Sequence, residues 1–427
     1  MFNPARRRFI KLVGGSSAVI AASGFLNTCG RGPTEARVVI VGGGFGGSTC
    51  AKYLRRLDCN IEITLIEPST RYVTCPFSNT VIGGLQPMES ITLDYSKNEK
   101  RRIKVIHATA QDIDAVSKKV VLDNGETLEY DYLVLAPGID FKWEEVEGMG
   151  PVDAEIIPHA WKAGQQTRLL KSQLAAMSDG GVVIIAPPAN PFRCPPGPYE
   201  RISLVAHYLR QHKPKSKILV LDAKDSFSKQ ALFTQAWQQL YPGMIEWVGG
   251  SEGGRIDEID VTTRTLYSEL GDKHKGDVVN FIPPQKAGSL VHRAGLTNAD
   301  GWCFVDQRSF ESTIHKDIYI IGDACVAGKM PKSGFAANSQ GKVCAAAVMS
   351  SINGSVMPDP SYVNTCYSLV APDYGISVAA VYRHSEEQGI YKTGGGVSPL
   401  DVDPGYRAQE ATYARGWYQS ITQDSFG

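Results

Sequence analysis

The sequence lacks an excess of charge of either sign: 44 Lys and Arg balance 44 Asp and Glu over 427 residues. No electrostatic footprint therefore draws it to nucleic acid or to an anionic lipid surface. It also lacks an uninterrupted apolar run of spanning length, so no stable membrane insertion is expected. Among its nine cysteines there is no Cys-x-x-Cys-His, which excludes c-type haem attachment to this chain, and no zinc-like spacing. Its eight histidines fall in no ligand pattern, and no metal site is expected. Long repeats and low-complexity tracts are missing, so the length implies two or three ordinary domains.

The chain opens instead on Arg6-Arg7-Arg8-Phe9-Ile10-Lys11, followed by a mildly apolar, Gly- and Ser-containing run to Leu26. A charged segment before a short apolar one is the layout of an export signal. Arg-Arg-x-Phe-Ile-Lys resembles the twin-arginine type, whose route carries folded, cofactor-loaded chains. Residues 1–34 are thus expected to be a signal segment directing the chain to the periplasm, with cleavage between about Leu26 and Ala36. Leu26-Asn-Thr-Cys29 is a poor lipid-attachment site, and no lipid is expected. An oxidising compartment would permit disulfides.

The stretch that organises the rest is Arg37-Val-Val-Ile-Val-Gly42-Gly-Gly44-Phe45-Gly46-Gly47. A β-branched run reads as a buried parallel strand. It enters Gly42-x-Gly44-x-x-Gly47, then a helix expected over Ser48 to Leu57, then a strand from Ile61 to Ile66 ending on Glu67. The first glycine makes the tight turn. The second lets the backbone approach a pyrophosphate, and the third lets helix and strand pack closely. The helix N-terminus offers N–H donors to phosphate, and Glu67, about twenty residues past Gly47, is placed to hold a ribose hydroxyl. Two short strands, Val105 to Thr109 and Lys119 to Leu122, are expected to flank a turn at Asp123-Asn-Gly125.

Two later strands close the same fold. Tyr130 to Leu135 ends on Ala136-Pro137-Gly138, which resembles the Ala-Thr-Gly turn of flavoproteins with two dinucleotide-binding domains. Asp317 to Ile321 ends on Gly322-Asp323-Ala324, where that superfamily places the acid on the ribityl chain of FAD. Between them Gly181 to Ala186, a helix over Arg201 to Gln211, and Lys217 to Leu221 ending on Asp222 repeat the strand–helix–strand pattern. The glycine turn is missing there. Pro187-Pro-Ala-Asn-Pro-Phe192-Arg193-Cys194-Pro-Pro-Gly-Pro-Tyr-Glu200 stands in its place. Prolines fix φ and lack N–H donors, so this loop cannot cradle a pyrophosphate, and the nicotinamide site reads as lost. From Gly334 to about Ser351 small residues predict a helix packed close to a cofactor. Pro358 and Pro360 mark a linker. The remainder, from Ser361, holds Cys366, a strand over Gly375 to Tyr382 and an aromatic helix around Trp417-Tyr418.

With these motifs in view, the sequence resembles the flavoprotein subunit of flavocytochrome c sulfide dehydrogenase over nearly its whole length. The most specific pieces are Tyr72-Val-Thr-Cys75, Phe192-Arg-Cys194-Pro-Pro-Gly-Pro-Tyr-Glu-Arg201, Met330-Pro-Lys332-Ser333, Tyr362-Val-Asn-Thr-Cys366-Tyr and the ending Asp424-Ser-Phe-Gly427. The resemblance implies an α/β fold of two glutathione-reductase-like dinucleotide-binding domains with a smaller C-terminal α+β interface domain. The FAD-binding domain would comprise 35–147 and 290–352, the second domain 148–289, and the C-terminal domain at the flavin and partner interface 353–427. It implies FAD held covalently by an 8α-S-cysteinyl bond to Cys75. Gly42, Gly44, Phe45, Gly46, Gly47, Glu67, Ala136, Gly138, Gly322 and Asp323 would line the site, with Lys332 near the flavin N1–O2 edge. It further implies a redox-active disulfide of Cys194 with Cys366, Glu200 as a proton-handling acid beside it, hydrosulfide as substrate, and a partner c-type cytochrome subunit carrying the haem.

Each of these residues also has a plain structural reading. Cys75 could be a buried thiol, Cys194 and Cys366 a structural bridge, Glu200 a helix-opening charge, Lys332 a surface charge and Trp417 a core or interface aromatic. Cys50, Cys59, Cys303, Cys325 and Cys344 carry no readable motif, and burial is expected of them. The functions left beside sulfide:cytochrome c oxidoreduction are sulfide:quinone oxidoreduction, NAD(P)H-dependent disulfide reduction, and a non-catalytic FAD electron-transfer role.

Overall fold

The structure is a computed structural model that describes residues 36–427. The expected export signal, with Cys29, lies outside the described residues. β1 (Arg37–Val41) is the Val/Ile run, almost wholly buried. α1 (Phe45–Leu57) follows after a single turn. It starts earlier than Ser48 because Gly44 is its N-cap, which puts Phe45, Gly46 and Gly47 in its first turn. β2 (Glu62–Ile66), β3 (Lys104–Ile106) and β4 (Tyr132–Leu135) complete this part of the sheet. β1 is the hub: Val39 pairs in parallel with Thr64 of β2 on one side and Leu133 of β4 on the other.

The strand expected over Val105 to Thr109 ends at Ile106, and the chain turns out of the sheet. Ala110–Asp114 then pairs antiparallel with Lys119–Leu122, and that strand with Thr127–Glu129. The Asn-Gly turn therefore joins the last two of these strands rather than the pair expected around it, in line with its preference for tight hairpins.

A second parallel sheet holds β5 (Val182–Ala186), β6 (Lys217–Leu221), β7 (Ile245–Val248) and β8 (Val278–Phe281) in the order β7-β6-β5-β8. Its strands alternate between two cores. Val183 and Ile185 of β5 face one hydrophobic cluster, and Ile184 and Ala186 face another. α2 (Gly197–His212) links β5 to β6, and α3 (Gln230–Leu240) links β6 to β7. α2 begins inside the proline loop, ahead of the expected Arg201, with Pro196 as N-cap and Pro198 in the first turn. Proline is tolerated there because first-turn N–H groups have no helical partner to lose.

β9 (Ile318–Ile320) returns to the first sheet and pairs with β4, Tyr319 opposite Val134, giving the order β9-β4-β1-β2-β3. α4 (Gly334–Ile352) follows, with Ser333 accepting the N–H of Ala336 as its cap. The C-terminal part holds three long antiparallel strands, β10 (Ser361–Ala371), β11 (Tyr374–Ser385) and β12 (Gly389–Val397). α5 (Pro404–Ser425), capped by Asp403, lies after them. β12 went unpredicted because Gly394-Gly395-Gly396 argues against a strand, and pairing with β11 supplies what propensity lacks. The last residues turn back onto the first domain. Phe426 stacks on Tyr72 at 5.1 Å and meets Phe45 edge-on at 5.4 Å. Lys52 donates to the carbonyls of Gln423 and Asp424, and Arg101 to that of Gly427.

Candidate active site

The glycine turn is built as its chemistry requires. Gly42 has φ +101, and a Cβ there would stand 2.2 Å from the Ala136 carbonyl oxygen. A Cβ on Gly47 would stand 1.9 Å from the carbonyl oxygen of Gly42, so this glycine sits beneath the loop and lets helix and strand close. Above it runs a groove of about 670 Å³. Gly42, Gly44, Phe45, Gly46, Glu67, Cys75, Ala136, Gly138, Gly322 and Asp323 all line it.

The groove fits FAD on its own chemistry. The start of α1 has no side-chain cap, so its first N–H groups are left for a phosphate. Glu67 accepts the Gly43 N–H at 2.9 Å and the Ser69 N–H at 3.1 Å, which fixes the acid at the groove wall. Asp323 has one carboxylate oxygen, Oδ1, buried with no hydrogen-bond partner. Burial pushes its carboxyl pKa up, against the pull of the Arg193 and Lys332 cations. An orphaned acceptor lining a groove calls for a donor such as a ligand hydroxyl.

At one end the groove adjoins a second cavity of about 50 Å³. Cys75 and Arg193 line both spaces. Cys194, Cys366, Glu200, Arg201, Trp161 and Trp417 line the smaller one. Cys194 is presented from the proline loop with left-handed backbone, φ +58, and its N–H donates to the Lys332 carbonyl at 2.7 Å. Cys366 comes from β10 of the C-terminal sheet. The two meet as thiols in a side-chain hydrogen bond. That bond and then burial push the Cys194 thiol well up. Cys366 is held below the usual thiol value by the same hydrogen bond and by the Lys229 ammonium.

Glu200 lies in the first turn of α2, but it is not a surface cap. Its carboxylate accepts Asn79 Nδ2 and the Leu369 N–H, both at 2.8 Å, and burial raises its pKa. Arg201 is fully buried. It donates to Asn79, Asn280 and the carbonyls of His159 and Ala160, lies over the Trp161 ring at 5.0 Å, and is lowered by burial to about 10. The indole N–H groups of Trp161 and Trp417 have no partner.

Lys332, expected near the flavin N1–O2 edge, sits beside the acid that closes the groove. Its ammonium donates to the carbonyls of Asp323 and Cys325, both at 2.9 Å, and stands 3.8 Å from the Trp302 ring centre, lining neither cavity. Its backbone supports Cys194 instead. Arg71, Lys162, Arg193 and Arg293 line the groove, and of these Arg193 also lines the smaller cavity; its guanidinium donates to the Trp161 carbonyl and lies 3.9 Å from Asp323. Its place beside Cys194 in the proline loop was the available signal. Lys229 gave none: it stands alone in a polar loop after β6. Of the unassigned cysteines, Cys50, Cys303, Cys325 and Cys344 are buried as expected, and Cys59 is half-buried.

In the second sheet, the acid that ends β6 is engaged by the chain's own side chains. Asp222, fully buried at the end of β6, accepts Tyr199 Oη at 2.6 Å, Trp247 Nε1 at 3.1 Å and Lys224 Nζ at 2.5 Å. Phe227 stacks on Tyr199 at 3.7 Å. Among the described residues no cluster of His, Cys, Asp and Glu could hold a metal, and no helix is long and apolar enough to cross a membrane.

Two parallel nucleotide-type sheets with this groove define a two-domain FAD-binding oxidoreductase, and residues 36–178 match the family model for pyridine nucleotide-disulphide oxidoreductases. The fold of the described residues resembles that of the sulfide:quinone oxidoreductase of Aquifex aeolicus, with a TM-score of 0.70 at 19% identity over 91% of this chain and 92% of that one. It also resembles an NAD-dependent persulfide reductase from A. fulgidus, with a TM-score of 0.64 at 19% identity over 91% and 77%. Residues 167–283 match the central region of the sulfide dehydrogenase (flavocytochrome c) flavoprotein chain, and residues 358–426 match the flavin-binding region of flavocytochrome c sulphide dehydrogenase. The flavoprotein chain of that name from Chlorobaculum thiosulfatiphilum is 69% identical over 45 residues, 10% of this chain and 94% of that one. The mitochondrial sulfide:quinone oxidoreductase of Dictyostelium discoideum is 25% identical over 302 residues, 67% of this chain and 65% of that relative. The chain belongs to the family of flavocytochrome c sulfide dehydrogenase flavoprotein chains, a family of sulfide-oxidising flavoproteins.

Proposed function

We propose that the chain is the flavoprotein subunit of a periplasmic sulfide:cytochrome c oxidoreductase. A Cys194–Cys366 disulfide takes sulfur from hydrosulfide, FAD is tethered through Cys75, and electrons leave to haem on a c-type cytochrome subunit. One observation carries the reading: paired thiols line a cavity of about 50 Å³ that adjoins the dinucleotide groove. A small thiol-lined space of this kind suits a small nucleophile such as hydrosulfide.

Hydrosulfide is a soft anion, and attack on one sulfur of the bridge is ordinary thiol–disulfide exchange. The S–S bond breaks, one cysteine keeps the incoming sulfur as a persulfide, and the other leaves as a thiolate. The indole N–H groups of Trp161 and Trp417 are unpaired donors beside this charge. Glu200, its pKa raised by burial, is suited to move a proton when the sulfur departs. When bound, FAD takes up an electron pair and releases electrons singly, as a haem acceptor needs. Gly44, Phe45 and Gly46 would hold its phosphates and Asp323 its ribityl hydroxyls. Arg193 would neutralise negative charge gained at the junction of the two cavities.

Cys194→Ser and Cys366→Ser should stay yellow and FAD-loaded yet lose sulfide-dependent bleaching, measured anaerobically by absorbance. Full turnover in either variant would sink the disulfide chemistry. Cys75→Ala should release FAD on acid denaturation while wild type retains it in the pellet. Equal release from both would remove the covalent tether.

A further inference from the structure

A buried ammonium faces the thiol pair from the second domain. Lys229, the N-cap of α3, holds left-handed backbone, φ +61, and is 9% exposed. Its Nζ donates to Ser368 Oγ at 2.8 Å and lies 5.6 Å from the Phe233 ring centre. Ser368 is two residues beyond Cys366 on β10, so both side chains leave the same face of the strand.

The ionisable groups around Lys229 are Cys366, Glu200, Cys194 and Glu410. Glu410 is already committed to Arg407 Nη1 at 3.1 Å and to Ser377 and Ser398. Glu200 is committed to Asn79 and the Leu369 N–H. A buried ammonium with one hydroxyl partner costs several kcal/mol unless an anion compensates it, and Cys366, whose sulfur has only Cys194 and a long 3.7 Å contact to the Tyr367 carbonyl, is the group left to supply one. Cys194 faces Cys366, Glu200, Cys75, Arg193 and Arg201, and it feels Lys229 less than Cys366 does. Its other two cationic neighbours are spent elsewhere, Arg201 on four acceptors and Arg193 on the Trp161 carbonyl beside Asp323.

We propose that Lys229 is a positioning residue that sets the direction of exchange: hydrosulfide attacks Cys194, and Cys366 is the sulfur that leaves. The new bond forms between the incoming sulfur and Cys194 Sγ. The S–S bond breaks with its electron pair going to Cys366, whose thiolate pairs with the Lys229 ammonium. Cys194 carries the persulfide. The step needs no further oxidant. In such exchange the thiol with the lower pKa leaves faster, so the cation biases the outcome. This rests on the sulfide reading given above and adds to it a regiochemistry.

The test uses FAD-loaded wild type, Lys229→Met and Lys229→Arg, each mixed anaerobically with one equivalent of hydrosulfide, alkylated, and mapped by peptide mass spectrometry. Wild type and Lys229→Arg should carry the extra sulfur on Cys194. Lys229→Met should divide it between the two cysteines and bleach about tenfold more slowly. Alkylation of Cys366 against pH in the dithionite-reduced protein should move to higher pH in Lys229→Met only. Extra sulfur on Cys366 in wild type, or an unchanged Cys366 titration in Lys229→Met, overturns the assignment. If Lys229→Met does not load FAD, the wild-type map and the Lys229→Arg titration decide alone. Absence of persulfide and bleaching in wild type would instead defeat the sulfide reading, while the Cys366 titration would still judge Lys229.

Discussion

His159 lies where the wall of the thiol cavity is assembled, and it is buried as a neutral ring. Its Nδ1 accepts the Trp161 N–H at 2.9 Å, and its carbonyl accepts Arg201 and Asn280. Burial, with the nearby Lys162, Arg201 and Arg193 cations, pushes its pKa from 6.5 down to about 3. The unfolded chain therefore binds a proton below 6.5 that the native chain refuses, so this stability is whole above pH 6.5 and drains away as pH falls toward 3. His159→Gln, which keeps an acceptor for Trp161, should remove a loss on the order of 3 kcal/mol between neutral and acid urea melts. Equal acid sensitivity in both proteins would place the loss elsewhere. Glu200→Gln should retain FAD and fold but slow sulfide-dependent bleaching about 10²-fold, if the acid moves a proton. An unchanged rate would leave Glu200 only the task of tying Asn79 to β10. Glu200 and the cysteines were legible because each stands in a distinctive proline loop or strand motif. His159 and Lys229 were not, since their roles come from partners 42 and 139 positions away in the chain.

At the scale of elements, the first βα unit acts as one piece with the end of the chain. Gly47→Ala puts a methyl group 1.9 Å from the Gly42 carbonyl oxygen, where only backbone can yield. The expected result is protein with little FAD, read as a low ratio of absorbance at 450 nm to 280 nm; normal loading would mean that the turn can shift. Phe426→Ala should cost about 3 kcal/mol, because it empties a buried position between Tyr72 and Phe45. Since those rings brace the glycine loop, loading should fall as well, and denaturant midpoints measured with and without FAD separate the two effects. The α1 helix was expected from its pattern, but its start was misplaced because glycines mask the first turn. The strand β12 was hidden for the same reason: its glycines carry no side chain with which to state a preference.

For the whole molecule, the second nucleotide fold is closed by its own side chains. Asp222 spends its carboxylate on Tyr199, Trp247 and Lys224, and Phe227 stacks over Tyr199. NADH and NADPH should therefore fail to bleach the flavin at millimolar concentration in a spectrophotometer cell, whereas hydrosulfide should succeed. Rapid bleaching by either dinucleotide would show that this cluster opens. The acceptor side separates two sulfide oxidations. Turnover with a c-type cytochrome and none with a short-chain quinone is the expected result, and the reverse would move the protein toward quinone chemistry.

The opening strand–turn–helix–strand unit, the glycine turn, the closing Gly-Asp and the loss of the second glycine turn were all set by the sequence, because each depends on residues adjacent in the chain and on backbone geometry. Tertiary structure alone decided that Cys194 from one domain meets Cys366 from another at the wall of a small cavity beside the groove. It also tied the Lys332 ammonium to the Asp323 and Cys325 carbonyls, put Arg193 at the junction of the two cavities, and paired a buried Lys229 with Ser368, two residues beyond Cys366. The physical reason is that burial and charge compensation are sums over neighbours, and these neighbours are brought together only when the two parallel sheets and the C-terminal sheet have packed.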